Sequence, residues 1–442
     1  MQHCDILIAP RWCVPIEPAG IVLSDHAIAV ADGRILDLLP LSEARQKYQS
    51  SVLIRRPHHA LIPGLVNTHT QAAMTLLRGF GGDLPHASWL AERVWPVERR
   101  WVSAEMVRDG TELAVAEMLR AGITCFSDQY YFPEIVAETA VDLNIRAMIG
   151  TLVMDAPTSW AGDAEECLRK GSDLVHDAYA AHPLISSCYA PHSLGALSES
   201  SFTELRVTAD QLDVPVQVRL HETQAEIAAS VEQTGKRPFA RLDELGLVNA
   251  SLLAVHAVYL TDSEIERCAE TRVSIARCPR SNLKLASGIA PISRYRSAGI
   301  NVGIGTDGAA SNDMLDILAE IRLATLLARA QTSNAAIITP ADALRMGTLD
   351  SARALGLAGS IGSLETGKYA DLACIDLTRM NSQPVYDVLS TLVFSTNACQ
   401  VTDVWVAGKH QLEDGKLNSI KTDELLERSR EWRDRIAATQ TR

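Results

Sequence analysis

The feature that most constrains this chain is a repeat of secondary structure. Between residues 59 and 365, short apolar strands (LIPGLVNTH, ITCFSD, IRAMIGTLVM, LISSCYAPH, VPVQVRLHE, SLLAVHAV, VSIARCP and INVGIGTDG) alternate with helical stretches such as AEMVRDGTELAVAEMLRAG. Eight strands, each followed by a plausible helix, are the mark of parallel βαβ repetition and predict an α/β protein built on a (β/α)8 barrel. A doubly wound open sheet is the alternative. It is disfavoured because no GxGxxG opens the first strand-to-helix turn.

The ends of the chain have a different texture. Residues 4–58 read as short strands, with Asp32-Gly33 between two apolar runs as a hairpin signal. Residues 366–420 return to strands (YADLACIDL, VTDVWVAGK), and a charged helical segment, 421–442, closes the chain. The expected organisation is a β domain from 1–58 and 366–420, a barrel over 59–365 and a C-terminal helix. At 442 residues the chain has room for a barrel of about 250 residues and a second unit.

Composition narrows the partners. Lys plus Arg number 41 against 54 Asp plus Glu, a formal charge of −13, so a nucleic acid or an acidic membrane surface would be repelled on average. Nine cysteines, odd in number, scattered and without a CxxC pair, indicate neither a disulfide framework nor a cysteine zinc site. The N-terminus lacks a basic segment followed by an apolar one, and no apolar run approaches the ~20 residues that span a bilayer. A cytoplasmic protein acting on a small molecule, as a homodimer or homotetramer, is expected.

In a (β/α)8 barrel the chemistry gathers at the carboxyl ends of the strands. Here the first strand ends Asn67-Thr68-His69-Thr70-Gln71, the fourth Pro191-His192-Ser193 and the fifth Arg219-Leu220-His221-Glu222-Thr223. The sixth carries His256, the seventh Arg277-Cys278-Pro279 and the eighth Gly305-Thr306-Asp307-Gly308.

With these ends, and with PGLVNTHT, AAMTLLRG, SNLKLASG, GTDGAASN and GSLETGKYADL, the chain resembles the amidohydrolase superfamily, in the branch of methylthioadenosine/S-adenosylhomocysteine deaminases and triazine hydrolases. The resemblance covers nearly the whole chain. It implies a distorted TIM barrel with a β-sandwich built from both termini, and hydrolytic removal of an amino or similar leaving group from a purine-like or triazine-like ring. It also implies one zinc or iron held by HxH on the first strand, a His on the fifth and the Asp of the eighth, with a further His on the sixth beside the reacting water.

This sequence departs from that ligand set. His69 and Asp307 match, but Gln71 stands at the second His, Arg219 at the fifth-strand His, and Arg277 at the usual His of the seventh strand. A divalent ion takes three or four N, O or S donors, whereas a guanidinium has no lone pair to give and stays protonated. Arg219 is therefore expected to replace the ion electrostatically by pairing with Asp307, and no metal or other cofactor is expected. Two other readings stay open: a structural salt bridge in a dead site, and His221 turning in as a substitute ligand for zinc or iron.

The resemblance carries over further roles: Glu222 to a substrate ring nitrogen, His256 to acid/base work, and His192 to the ribose or its equivalent. The candidate catalytic residues are thus Glu222, His256, Asp307 and Arg219, with His256 and Asp307 taking the proton from water. Candidate substrate contacts are His69, Gln71, His192, Arg277 and Trp89. Trp89 and Trp95 either cover the mouth of the site or pack as an amphipathic pair. The function expected is hydrolysis of a non-peptide C–N bond in a nucleoside-like or heteroaromatic compound without a metal. The alternatives are a ligand-binding homologue without activity and a zinc-dependent aminohydrolase with substituted ligands.

Overall fold

The computed structural model describes residues 1–80 and 84–438. Eight parallel strands run in chain order around one sheet: β1 Leu65–Thr70, β2 Ile123–Tyr130, β3 Arg146–Val153, β4 Ile185–Pro191, β5 Val216–Leu220, β6 Leu252–His256, β7 Ser274–Arg277 and β8 Asn301–Ile304. Almost every residue in them is buried, as a parallel sheet covered on both faces requires.

The ends of this sheet meet at the site. The backbone N–H groups of Thr306 and Asp307 donate to the carbonyl of His69 at 3.1 and 2.9 Å, tying the segment after β8 to the end of β1. Gly305 makes the approach possible, since a Cβ there would lie 2.8 Å from the His69 nitrogen. The result is the α/β barrel expected from the eightfold repeat.

The terminal segments form a separate nine-stranded sheet. Gln2–Cys13 pairs in parallel with Tyr48–Pro63 and antiparallel with His26–Ala31, and Leu372–Asp376 pairs antiparallel with Tyr48–Pro63. Both termini therefore contribute to one β structure. Successive side chains face opposite ways: Ile8 packs with Leu372 and Trp405, while Leu7 packs with Ala27, Ala44 and Tyr48. The Asp32-Gly33 hairpin is present between His26–Ala31 and Arg34–Pro40, both turn residues having positive φ (50° and 73°). Glycine is required there twice over, because a Cβ at 33 would meet the Ala407 carbonyl at 2.6 Å.

Two compact units make up the chain. One comprises Met1–Asn67, Ala116–Cys125 and Asp316–Ile420; the other comprises Thr68–Val115, Phe126–Leu315 and Lys421–Arg442. All the candidate site residues lie in the second. The closing helix, Thr422–Ala437, is anchored in that unit by Asp109, which accepts from Arg428 at 2.7 Å and from the Trp432 indole at 2.8 Å. Residues 439–442, the end of the expected C-terminal helix, lie outside the described residues. No described helix is long and apolar enough to cross a membrane.

Candidate active site

The strand ends bring the polar residues together by leaving regular β geometry. His221, His256 and Asp307 all have positive φ (51°, 71° and 61°), which turns each side chain out of the strand direction. Such backbone costs about 1–3 kcal/mol for a non-glycine residue and persists only where the surroundings enforce it.

Asp307 is the hub of one cluster. Its Oδ1 accepts from Arg219 Nη2 at 2.9 Å and faces His69 Nε2 at 3.4 Å, while Oδ2 accepts from the hydroxyls of Ser281 and Ser311 at 2.8 and 2.9 Å. Burial alone would raise its pKa, but the Arg219 charge and the His69 contact outweigh that and hold it well below the ordinary carboxylate range. For Arg219, burial disfavours the charge and the Asp307 and Glu222 carboxylates more than restore it. The same Nη2 also donates to Gln71 Oε1 at 3.0 Å.

A second cluster adjoins it. His256 Nε2 lies 3.5 Å from Glu222 Oε2, and Ser287 donates to Glu222 Oε1 at 3.4 Å. Burial pushes the His256 pKa down to about 4, so its ring is neutral at neutral pH. Burial acts to raise the Glu222 pKa, but His256 and Arg219 among its neighbours leave it below the ordinary value, so Glu222 is ionised. The His69 and His256 rings meet edge to face, centroids 5.9 Å apart, joining the two clusters.

These contacts decide whether an ion fits. Among the described residues no group of three or more His, Cys, Asp or Glu could hold one. The Arg219 fork occupies the space between Gln71 and Asp307, two of the positions that the resemblance assigns to ligands. His69 offers no lone pair either: its Nε2 faces the ionised Asp307 Oδ1 at 3.4 Å, an atom that can only accept, so the ring proton sits on Nε2, and Nδ1 lies 3.0 Å from Gln217 Nε2. The donor set present does not suit a divalent metal.

The remaining candidates fall in different places. His192 lines a cleft of about 550 Å³ with Trp95, Glu98, Arg99, Tyr131 and Met154. Burial, with Arg219 assisting, lowers its pKa to about 4. Glu98 is raised by burial to about 7, against the pull of the Tyr130 hydroxyl, which donates to it at 2.9 Å, and of Arg219. Trp89 is 3% exposed and its indole donates to the Phe80 carbonyl at 2.9 Å, so of the two tryptophans it is Trp95 that faces this cleft.

Arg277, expected to meet substrate, is instead 1% exposed and donates to Asn282 Oδ1, because the turn into helix Pro279–Lys284 folds back over its guanidinium. His221 does not turn in as a ligand. Its Nε2 accepts from the Phe239 backbone at 3.2 Å and its Nδ1 faces Arg237 and Glu264 at 3.3 and 3.7 Å. Sequence reasoning missed Glu98, Gln217, Ser281, Asn282 and Ser311 as members of the site. The SNLKLASG and GTDGAASN motifs contain three of them, and their polar residues were the available signal.

The parallel barrel is that of a hydrolytic enzyme of the amidohydrolase family, to which the chain belongs through the match of residues 60–410. It is 38% identical over 434 residues to the 5-methylthioadenosine/S-adenosylhomocysteine deaminase of Teredinibacter turnerae, covering 98% of each chain. It is 35% identical over 426 residues to the 5'-deoxyadenosine deaminase of Methanopyrus kandleri, covering 96% of each. Among solved structures it is similar to a zinc-bound adenosine deaminase from Xanthomonas campestris, with 47% identity, 99% of each chain covered and a TM-score of 0.98. The fold is also that of the atrazine chlorohydrolase of Arthrobacter aurescens, at 24% identity and a TM-score of 0.89 over 97% of this chain and 99% of that one.

Proposed function

We propose that the protein hydrolyses a C–N bond of a nucleoside-like or heteroaromatic small molecule without a bound divalent ion. The observation that carries this is the buried Glu222–His256 pair, 3.5 Å apart, beside a guanidinium where the resemblance puts an ion. Relatives that are 35–47% identical over nearly their whole length bear the names of nucleoside deaminases, which supports the substrate class.

The chemistry follows from what each group can do. Ionised Glu222 takes a proton from water as the water oxygen bonds to the ring carbon, and returns that proton toward the departing amine. Arg219 offsets charge that develops on the adduct, although it cannot generate hydroxide as a metal would. An electrophilic ring with a good leaving group is therefore the favoured substrate. Asp307 acts as a clamp on Arg219 rather than as the base, since both of its oxygens already accept hydrogen bonds from the protein. That saturation also favours a second reading, in which the site binds such a ligand without turnover.

Eight of the nine cysteines are buried and none is bonded to another, which supports a reducing compartment such as the cytoplasm. The test is turnover of a panel of aminopurine nucleosides and aminotriazines in chelator-treated buffer, beside ligand-induced melting shifts. The expected result is product formation that falls by at least ~10²-fold in kcat/KM for Glu222→Gln. Melting shifts with no product would leave the second reading, and activity that requires added zinc would overturn metal independence.

A further inference from the structure

We infer that Arg277 and Asn282 set the tautomer of His256, so that its Nε2 carries the ring proton and is presented to Glu222. From Arg277 to His256 each hydrogen bond has a fixed polarity. Arg277, at the end of β7, is 1% exposed, and a guanidinium has donors only. It donates to Asn282 Oδ1, so the amide oxygen must face Arg277 and the NH2 group must face the other way. There Nδ2 lies 3.1 Å from His256 Nδ1. An amide NH2 can only donate, hence Nδ1 accepts, and a neutral imidazole that accepts at Nδ1 holds its proton at Nε2. Nε2 then points at Glu222 Oε2, 3.5 Å away, as a donor facing an acceptor.

The arrangement belongs to this sequence. The resemblance places a histidine at 277, and a histidine can give or take a hydrogen bond, which leaves the Asn282 amide free to turn over. Arginine removes that freedom. His256 therefore meets a reacting group as a neutral N–H donor, and the proton-accepting role falls to Glu222. Arg277 and Asn282 are positioning residues that act through His256. Only this chemical consequence rests on the function proposed above, because the tautomer can be read without substrate.

The experiment uses the full chain labelled with 15N in the histidine rings, followed by long-range 1H–15N correlation spectra at neutral pH. The His256 signals are those lost in His256→Asn. The expected wild-type pattern is an unprotonated Nδ1 and a protonated Nε2. In Asn282→Asp the carboxylate keeps its pairing with Arg277 but can only accept, so Nδ1 should become protonated, either as the Nδ1–H form or as the imidazolium between two carboxylates, and kcat should fall at least ~10-fold while the ligand-induced melting shift persists. A wild-type His256 protonated at Nδ1, or populating both tautomers, would overturn the inference. So would a folded Asn282→Asp protein whose His256 Nδ1 stays unprotonated. The wild-type spectrum decides the matter even where the variant does not fold, and a chain with no turnover but the expected tautomer would fail the proposed function alone.

Discussion

Position 219 holds a cation that keeps its proton to above about pH 12, and its carboxylate partner is 3% exposed. Arg219→Met removes the charge and leaves Asp307 facing two hydroxyls and a neutral imidazole. Breaking a buried pair from one side costs ~3 kcal/mol or more, so the melting temperature at pH 7 should fall by several degrees. The sign with pH follows from the depressed Asp307 pKa. Its contribution is present above the ordinary carboxylate pKa of 3.8 and is lost as pH falls below it, so parent and variant should converge in acid. A variant as stable as the parent at pH 7 would show that Asp307 does not depend on Arg219. The converse change tests the ligand geometry. Gln71→His with Arg219→His restores the donors that the resemblance assigns around His69 and Asp307, and calorimetry should detect about one zinc in the variant and none in the parent. Gln217 must then turn its amide so that its oxygen accepts from His69 Nδ1, which the Ser127 hydroxyl permits because it can accept as well as donate.

At the scale of elements, the turn between β5 and helix Gln224–Thr234 carries Glu222, and one carboxylate shapes it. Glu226 accepts from the backbone N–H groups of Glu222 and His221 at 2.8 and 3.3 Å, while its own N–H donates to the Thr223 cap at 3.1 Å. Glu226→Gln replaces one acceptor oxygen with an NH2 group, so one of those backbone donors loses its partner. The expected loss is about 1–2 kcal/mol. Because the turn aims Glu222, kcat should fall more than KM rises. Unchanged stability and unchanged kinetics would mean that the turn is held by other contacts. The strands themselves were legible from sequence because each is a short apolar run bounded by turn residues. The Asp32-Gly33 hairpin was legible because two consecutive left-handed residues leave few other choices. The direction in which Arg277 and His221 point was not legible, since a residue that ends a strand can face either the cavity or the surrounding helices.

For the molecule as a whole, the buried ionisable groups of the site-bearing unit pull in opposite directions. His192, His221 and His256 are lowered by burial to about 4, so the unfolded chain takes up protons that the folded one refuses as pH falls from about 6.5 to 4. Glu98, Asp128 and Glu226 are raised by burial to about 7, so over nearly the same interval the folded chain holds protons that the unfolded one has released. Each proton changes stability by about 1.4 kcal/mol per pH unit, and the two sets oppose one another. Melting temperature should therefore form a plateau between pH 4.5 and 7 (about these limits) and drop steeply below it as the unfolded chain protonates Asp307 while the folded chain keeps it ionised. Asp128→Asn keeps the acceptor for the Ala72 N–H, 2.7 Å away in the parent, but removes one group that opposes the histidines, so the plateau should tilt upward with pH. A parent curve that already rises steeply from pH 4.5 to 7 would contradict the balance.

The sequence by itself determined the barrel, the β structure drawn from both ends and the strand ends that bear the chemistry. All of these follow from periodicity and local turn preference, which act over a few residues. It also determined that Arg219 and Gln71 break the metal set, because guanidinium chemistry does not depend on context. Only the tertiary structure decided that Arg277 is buried behind Asn282, that Asp307 holds the His69 proton at Nε2, and that Ser281 and Ser311 fill the far oxygen of Asp307. Those are contacts between residues brought together by barrel closure and by turns at the strand ends. Hydrogen-bond polarity passes through them from one side chain to the next, and no spacing along the chain encodes it.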